Sequence, residues 1–318
     1  MRYTVLRVDA LLQFVLTEVP EPAPMLSAQD ALARYRTLAR RFPAPVDAAV
    51  AAGFGADRLG YAFAGSYQAA LQRLLDARTG DAVVAFCATE RGGAHPRAIE
   101  TTLTEGGDGW LLDGRKTFVT FGSDAETLVV IATDGTVDGR NRLRAVTIDS
   151  RRAGIALDDR PPISFAPEIR HAELTMSGVR VGAAEVLPGD GFDDYLRPFR
   201  TIEDAHVLAG MFGWLIQIAR RYGWPGDIVT QSIAAVLAIR GVAEADPVAP
   251  TTHVALGGIF GMADSLLESA APHWVSVDEA VRERWLRDRP LLTVASEVRN
   301  RRLAAAWDRL GATPAAPR

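Results

Sequence analysis

Two adjacent carboxylates, Glu203 and Asp204, open a long helical pattern, and a carboxylate can serve as a general acid or base. Either task needs the group poised over the substrate. Acids at a helix start also favour the helix dipole, so the same two residues equally suit a structural role. At the far end of that pattern, Arg220 and Arg221 offer guanidinium groups suited to bidentate phosphate contact. Basic residues in a last helical turn serve the dipole as well. Phe118 and Thr120 lie two apart in a strand-like run, so ring and hydroxyl project from one face. Alternating threonine is also common on any β-strand. His95 sits in a Gly/Pro loop, where it is either a polar contact in a pocket mouth or a solvated side chain. Cys87 is the single cysteine; with no neighbour that would lower its pKa, it reads as a small buried hydrophobe.

The elements that must position these residues change character twice. From about Ser27 to Arg78 the chain is alanine-rich and helical. Ser27 is a helix cap, and Leu32, Tyr35, Leu38 and Ala39 follow near a 3.6 period. Pro20, Pro22 and Pro24 precede that helix and Pro43 and Pro45 stop it, which predicts modest helical content. A second helical run covers Tyr61 to Ala77. Strand-like runs then succeed one another from Ala82 to Val181, with turn glycines at 106, 107 and 109 and a hairpin signal at Asp113-Gly114. Beyond Asp193 helix returns in four stretches: Thr201 to Arg221, Pro225 to about Ala245, Thr251 to Ala270 and Pro290 to Leu310. An Ala/Pro tail from Thr313 to Arg318 is expected to fray. This segregation predicts an α+β fold: an N-terminal helical domain (1–80), a middle antiparallel β-barrel or sandwich (81–192) and a C-terminal helical bundle (193–318). The lack of βαβ alternation argues against a Rossmann unit.

Composition sets the outer limits. The 318 residues are 48% hydrophobic and 23% charged, the mix of a globular protein with sizeable cores. A net charge of −4 gives no reason to expect a nucleic-acid partner. One cysteine forms no intrachain disulfide and fits a reducing compartment, so a cytoplasmic protein is expected. No segment approaches ~20 uninterrupted apolar residues, so no membrane span is expected, and no metal site is expected either.

Three segments carry a family resemblance. Phe86-Cys87-Ala88-Thr89-Glu90-Arg91-Gly92-Gly93-Ala94 resembles the acyl-CoA dehydrogenase stretch aromatic-x-x-Thr-Glu-Pro-Gly-Ala-Gly. Asp108 through Gly122 resembles that family's D-G-x-x-L-N-G-x-K-x-W-I-T-N-G, and Val179 through Phe192 resembles its exit from the β domain. The order and the helical flanks match as well. The resemblance implies an FAD-dependent enzyme that dehydrogenates an acyl thioester such as an acyl-CoA between its α and β carbons. It implies flavin contacts from Phe86, Ala88, Thr89, Phe118 and Thr120, with Phe118 in place of the usual tryptophan. Arg220 and Arg221 correspond to the arginine that supports the FAD pyrophosphate of a neighbouring subunit, so a homodimer or tetramer is implied.

The same comparison exposes departures. The serine that helps bind the acyl-thioester arm is replaced by His95, which with Arg200 becomes a candidate substrate contact. Ser296 stands where most members place the catalytic glutamate, with Glu297 one residue along, about 100° away around a helix. Other members carry the base a few residues before an Ala-Gly on the first C-terminal helix. Glu203 and Asp204 precede Ala209-Gly210 in that way, with Asp204 best in register. Three readings therefore stand open: the dehydrogenase, a flavin-dependent oxygenase or oxidase on the same scaffold, and a non-catalytic member that partners a complete paralogue. FMN, or no flavin at all, stands as an alternative to FAD.

Overall fold

The computed structural model describes residues 9–76 and 78–312. The tail at 313–318 lies outside them, as does Ala77, where the second helical run was expected to end. The chain divides into two compact units, one made of residues up to Ala69 together with those from Asp204 onward, the other of Ala70–Glu203. Helix, then strand, then helix is the order found, as the α+β reading requires.

The first helices are α1 (Ala10–Thr17), α2 (Ala28–Arg41), α3 (Pro45–Phe54) and α4 (Leu59–Leu75). Ser27 caps α2 as expected: its hydroxyl accepts from the Asp30 N–H, and the Asp30 carboxylate accepts from the Ser27 N–H. This reciprocal box satisfies two donors that a helix start otherwise leaves open. The expectation of modest helical content is corrected by α3. Pro45 does not end a helix but begins one, at the first helical position where a missing N–H costs nothing. The rest of the helical unit is the part of α5 (Arg197–Arg221) from Asp204 on, with α6 (Gly226–Glu244), α7 (Pro250–Ala270), α8 (Glu279–Asp288) and α9 (Ser296–Leu310). The run expected from Pro290 begins as a short 3-10 turn at Arg289–Leu292, and α9 starts only at Ser296. Small residues let α3 and α5 cross closely, because a Cβ at Gly53 would strike the Gly210 carbonyl. Trp274 and Trp285 stack at 4.9 Å in the core, with Trp214 within 6 Å of both. By length and composition alone, α6 and the stretch 250–276 are long and apolar enough to cross a membrane. Core helices pass the same test, and Ile228, Ala235, Val236 and Ile239 of α6 are buried against the unit.

The other unit is built on seven strands: β1 (Val84–Cys87), β2 (Thr102–Gly106), β3 (Gly109–Thr120), β4 (Thr127–Val137), β5 (Arg140–Asp149), β6 (Ile155–Asp159) and β7 (His171–Val181). They form one sheet in the order β1-β4-β2-β3-β7-β6, with β5 also on β4. Most pairs are antiparallel; β4 pairs parallel with β1 and, at one position, with β2. Leu128 to Ala132 of β4 are wholly buried, which explains their uninterrupted apolar character. The β2–β3 hairpin turns at Gly106–Gly109 as expected, but Asp113-Gly114 is no turn. It lies inside β3, where the register with β7 shifts between Leu112 and Gly114. Gly114 has φ +151°, and a Cβ there would sit 2.6 Å from the Thr101 hydroxyl. The glycine thus serves close approach of two strands, and Asp113 accepts a 2.6 Å bond from the Gly178 N–H.

Candidate functional site

Within the β unit the two segments singled out above are joined directly. The Thr117 N–H donates to the Thr89 carbonyl at 2.8 Å. A second register shift falls between Lys116 and Val119, so the strand bulges where Phe118 projects. Bulges commonly re-aim a side chain next to a site. Beyond it Val119 is buried, while Phe118 is 36% exposed and Thr120 half-buried on the same face. The hydroxyls of Thr89 and Thr120 make no hydrogen bond among the described residues. Phe86 is placed differently: it is buried, with its ring stacked on Phe199 at 4.4 Å. Ala88 is buried beside it in sequence. His95 is exposed, and its Nδ1 accepts from the Arg97 N–H at 3.2 Å, which fixes it as the cap of the turn Pro96–Ala98. Arg200 is exposed on α5.

His171 joins the Phe118 face, a residue that no motif in the chain singles out. It pairs across the strands with Thr120 and stacks on Phe118 with ring centroids 4.2 Å apart. It is 92% buried, and its Nδ1 has no partner. Burial, helped by the Arg160 guanidinium, pushes its pKa down to about 4, so the ring is neutral at neutral pH. Only the β3–β7 register brings it to Thr120, and register is a tertiary property.

Beneath this face lies a buried ion pair. Lys116 Nζ donates to Glu90 Oε1 at 2.6 Å and to the Ile131 carbonyl at 2.5 Å. Glu90 also accepts from the Glu100 N–H, the Thr101 N–H and the Thr101 hydroxyl. Burial works to raise the Glu90 pKa, but the Lys116 charge and these hydrogen bonds hold it below the usual carboxylate value. Cys87 is fully buried, and burial pushes its thiol up to about 12 against a smaller opposite pull from Lys116. Its reading as an inert hydrophobe stands, although a cation is nearby after all.

In the helical unit Asp204 meets two arginines of α9. Arg302 donates to its Oδ2, and Arg299 stands 3.5 Å from Oδ1. Burial pushes the Asp204 pKa up, and the two guanidiniums act in the opposite sense. Glu203, next to it on α5, counts with the β unit. Ser296 is the first residue of α9, and its hydroxyl accepts from Arg299 at 3.0 Å. Glu297 is exposed, 3.7 Å from Arg301. Arg220 donates to the Val15 carbonyl at 2.6 Å and lies over the Phe54 ring. Arg221 stands 3.7 Å from Asp278.

The bulged strand β3 lies within residues 85–179, which match the family model "Acyl-CoA dehydrogenase, middle domain". Residues 85–179 thus resemble an acyl-CoA dehydrogenase middle domain. Among curated proteins it is 28% identical over 112 residues to the 3-(aryl)acrylate reductase of Clostridium sporogenes, covering 34% of this chain and 29% of that protein. It is 28% identical over 152 residues to the probable acyl-CoA dehydrogenase YngJ of Bacillus subtilis, covering 46% of this chain and 40% of that one. The matched stretches therefore span well under half the length of these relatives. Among solved structures, FkbI, described as serving biosynthesis of the methoxymalonyl extender unit of Fk520, shares the fold with a TM-score of 0.62. It is 19% identical and covers 95% of this chain and 99% of its own. Butyryl-CoA dehydrogenase from Megasphaera elsdenii shares the same fold of helices, sheet and helices, with a TM-score of 0.58 at 15% identity over 90% of this chain and 99% of that one.

Proposed function

We propose that this protein is an FAD-dependent oxidoreductase that dehydrogenates an acyl thioester between its α and β carbons. The observation that carries this reading is the exposed Phe118 ring beside the unengaged Thr120 hydroxyl, on a bulged strand inside the matched middle domain. An isoalloxazine ring needs an apolar wall and hydrogen-bonding groups at its polar edge, and Phe118, Thr120 and Thr89 are of that kind. Once bound, the flavin supplies the hydride acceptor. Phe86 of β1 and the buried Ala88 anchor the segment that leads to Thr89, and neutral His171 orients Phe118 by stacking on it. Arg220 and Arg221 are the candidate phosphate contacts. Each already has a partner in the helical unit, so FAD phosphates would draw on their remaining N–H groups. His95 and Arg200, both exposed, are the candidate contacts to the thioester arm. Asp204, with Glu203 beside it, is the candidate base, and an upward push from burial is the sense that a general base requires. The reading includes a cytoplasmic homo-oligomer.

The arginine clamp on Asp204 favours a second reading, because guanidiniums hold a carboxylate as the anion and weaken it as a base. A flavin-dependent oxidase or oxygenase needs no α-proton removed by this residue. Absorbance of the purified protein separates the readings. The dehydrogenase predicts bound flavin that bleaches under anaerobic acyl-CoA, and an Asp204→Asn variant that keeps its flavin but no longer bleaches. Flavin that bleaches only with an external reductant and reoxidises fast in oxygen supports the second reading. A protein that takes up no FAD sinks both, and a variant that bleaches normally removes Asp204 as the base.

A further inference from the structure

The Phe118 face of the β unit contains a histidine that stacking alone does not explain. We infer that His171 holds the bound flavin directly, its imidazole donating a hydrogen bond to an acceptor atom at the flavin's polar edge. With the flavin reading as its premise, His171 becomes a further polar contact beside Thr89 and Thr120.

Strand register places the ring. His171 lies directly opposite Thr120 in the antiparallel β3–β7 pair, so the two side chains leave the sheet on one face with Cβ atoms about 5 Å apart. Stacking at 4.2 Å, with ring planes 25° apart, puts Phe118 on that face too. Phe118, 36% exposed, is the outer plate of the stack and His171, 8% exposed, the inner one.

The hydrogen-bonding state of the ring supplies the second argument. Among the described residues neither ring nitrogen has a partner; Nδ1 is sealed from solvent, and Nε2 is not. Burial and the Arg160 guanidinium keep the ring neutral, so it carries one N–H. A folded protein tolerates an orphaned acceptor better than an orphaned N–H, which puts the proton on Nε2, the nitrogen still open to a ligand. A phenylalanine would stack on Phe118 as well and bury no orphaned nitrogen, so a stacking role does not account for an imidazole here.

The turn after Thr120 holds this pair in register. Phe121 is wholly buried with φ +74°, a left-handed backbone that bulky residues rarely adopt. Such strain persists only where the surroundings impose it, and it gathers at ligand sites. Ser123 donates from its N–H and its hydroxyl to the Asp159 carboxylate, and Asp159 pairs with Ala172, the residue next to His171. Gly122 leaves no room for a side chain: a Cβ there would lie 2.9 Å from Asp159 Oδ1 and 3.1 Å from the Ala172 Cβ. The imidazole and the Thr120 hydroxyl are thus set in advance, and groups set in advance lose little freedom when a ligand joins them.

Serial dilution of the purified, FAD-loaded protein, with released flavin read by its fluorescence, tests this against His171→Phe, which keeps a ring on Phe118 and removes the N–H. FAD binding should weaken by roughly tenfold, the worth of about one hydrogen bond. The midpoint potential of the bound flavin should fall, because a donor at the polar edge favours the electron-richer reduced ring. Should His171→Phe fail to fold, nitrogen NMR spectra of the histidine-labelled, FAD-loaded parent give the same answer. One of the five histidines should show an Nε2–H protected from exchange with water, and its signal should move when dithionite reduces the flavin. A parent that takes up no FAD overturns the flavin reading and this contact with it. A parent that binds FAD, alongside a folded His171→Phe protein with unchanged affinity and potential, overturns the contact alone. So does a spectrum in which no histidine signal responds to flavin reduction.

Discussion

The β unit and the helical unit each bury a cluster of charge, and the two clusters are settled differently. Glu90 and Lys116 form a one-to-one pair, 5% and 0% exposed. Both Glu90 oxygens accept backbone N–H bonds as well, and Lys116 reaches a backbone carbonyl of β4. Asp204 is shared between two arginines that are partly exposed and border a cavity. A closed, neutral pair is consumed in holding strands together; the helical cluster shares one carboxylate between two arginines that stay partly open to water. The largest expected effect therefore belongs to the closed pair. Lys116→Met leaves Glu90 buried without its counter-charge, which should cost about 3–5 kcal/mol, read as a lowered denaturation midpoint at unchanged slope. A Glu90→Gln/Lys116→Met double change should recover much of that loss. A single variant within about 1 kcal/mol of the parent would mean that the pair is not closed to water.

Gly114 sharpens the same contrast from one strand away. A Cβ there would collide with Thr101, whose hydroxyl donates to Glu90 at 2.7 Å. Gly114→Ala should cost about 2–3 kcal/mol, combining an unfavourable φ with loss of a bond to a buried carboxylate. A Thr101→Val background separates the two parts. If Gly114→Ala costs as much there as in the parent, the glycine serves the backbone alone and has no share in the cage around Glu90.

The helical cap at Ser27, the order of helix and strand, and the segments that resemble the acyl-CoA dehydrogenase middle domain were all legible in the sequence. Each is encoded locally, by side-chain chemistry a few residues apart. Pro45 misled because a proline that stops one helix also starts another, and only the chain's path decides which. Asp113-Gly114 misled for a related reason: the dipeptide permits a tight turn, but here its glycine is needed against Thr101, a residue of a neighbouring segment. His171, the Glu90–Lys116 pair and the arginines on Asp204 were not legible at all. Their partners lie 26 to 98 positions apart or meet only through strand register. Lys116 was in view as a motif letter, yet nothing in the letters says that a lysine in an alternating strand points inward.

The smallest effect is expected at the helical cluster, and it decides whether the comparison holds. Arg302→Met removes the arginine that donates directly to Asp204 but leaves Arg299 within 3.5 Å of the same carboxylate. Asp204 then keeps one guanidinium close by, so its carboxylate is not left without a counter-charge. Its loss should be only about 1–2 kcal/mol, below the range for stripping a buried pair of its single partner. Because these side chains are partly exposed, the loss should also shrink as salt is raised, whereas that of Lys116→Met should not. Denaturation curves of both variants at low and high salt read the two differences together. If Arg302→Met costs as much as Lys116→Met at both salt concentrations, the helical cluster is as fully committed to the fold as its counterpart in the sheet. The second arginine would then be as structural as Lys116.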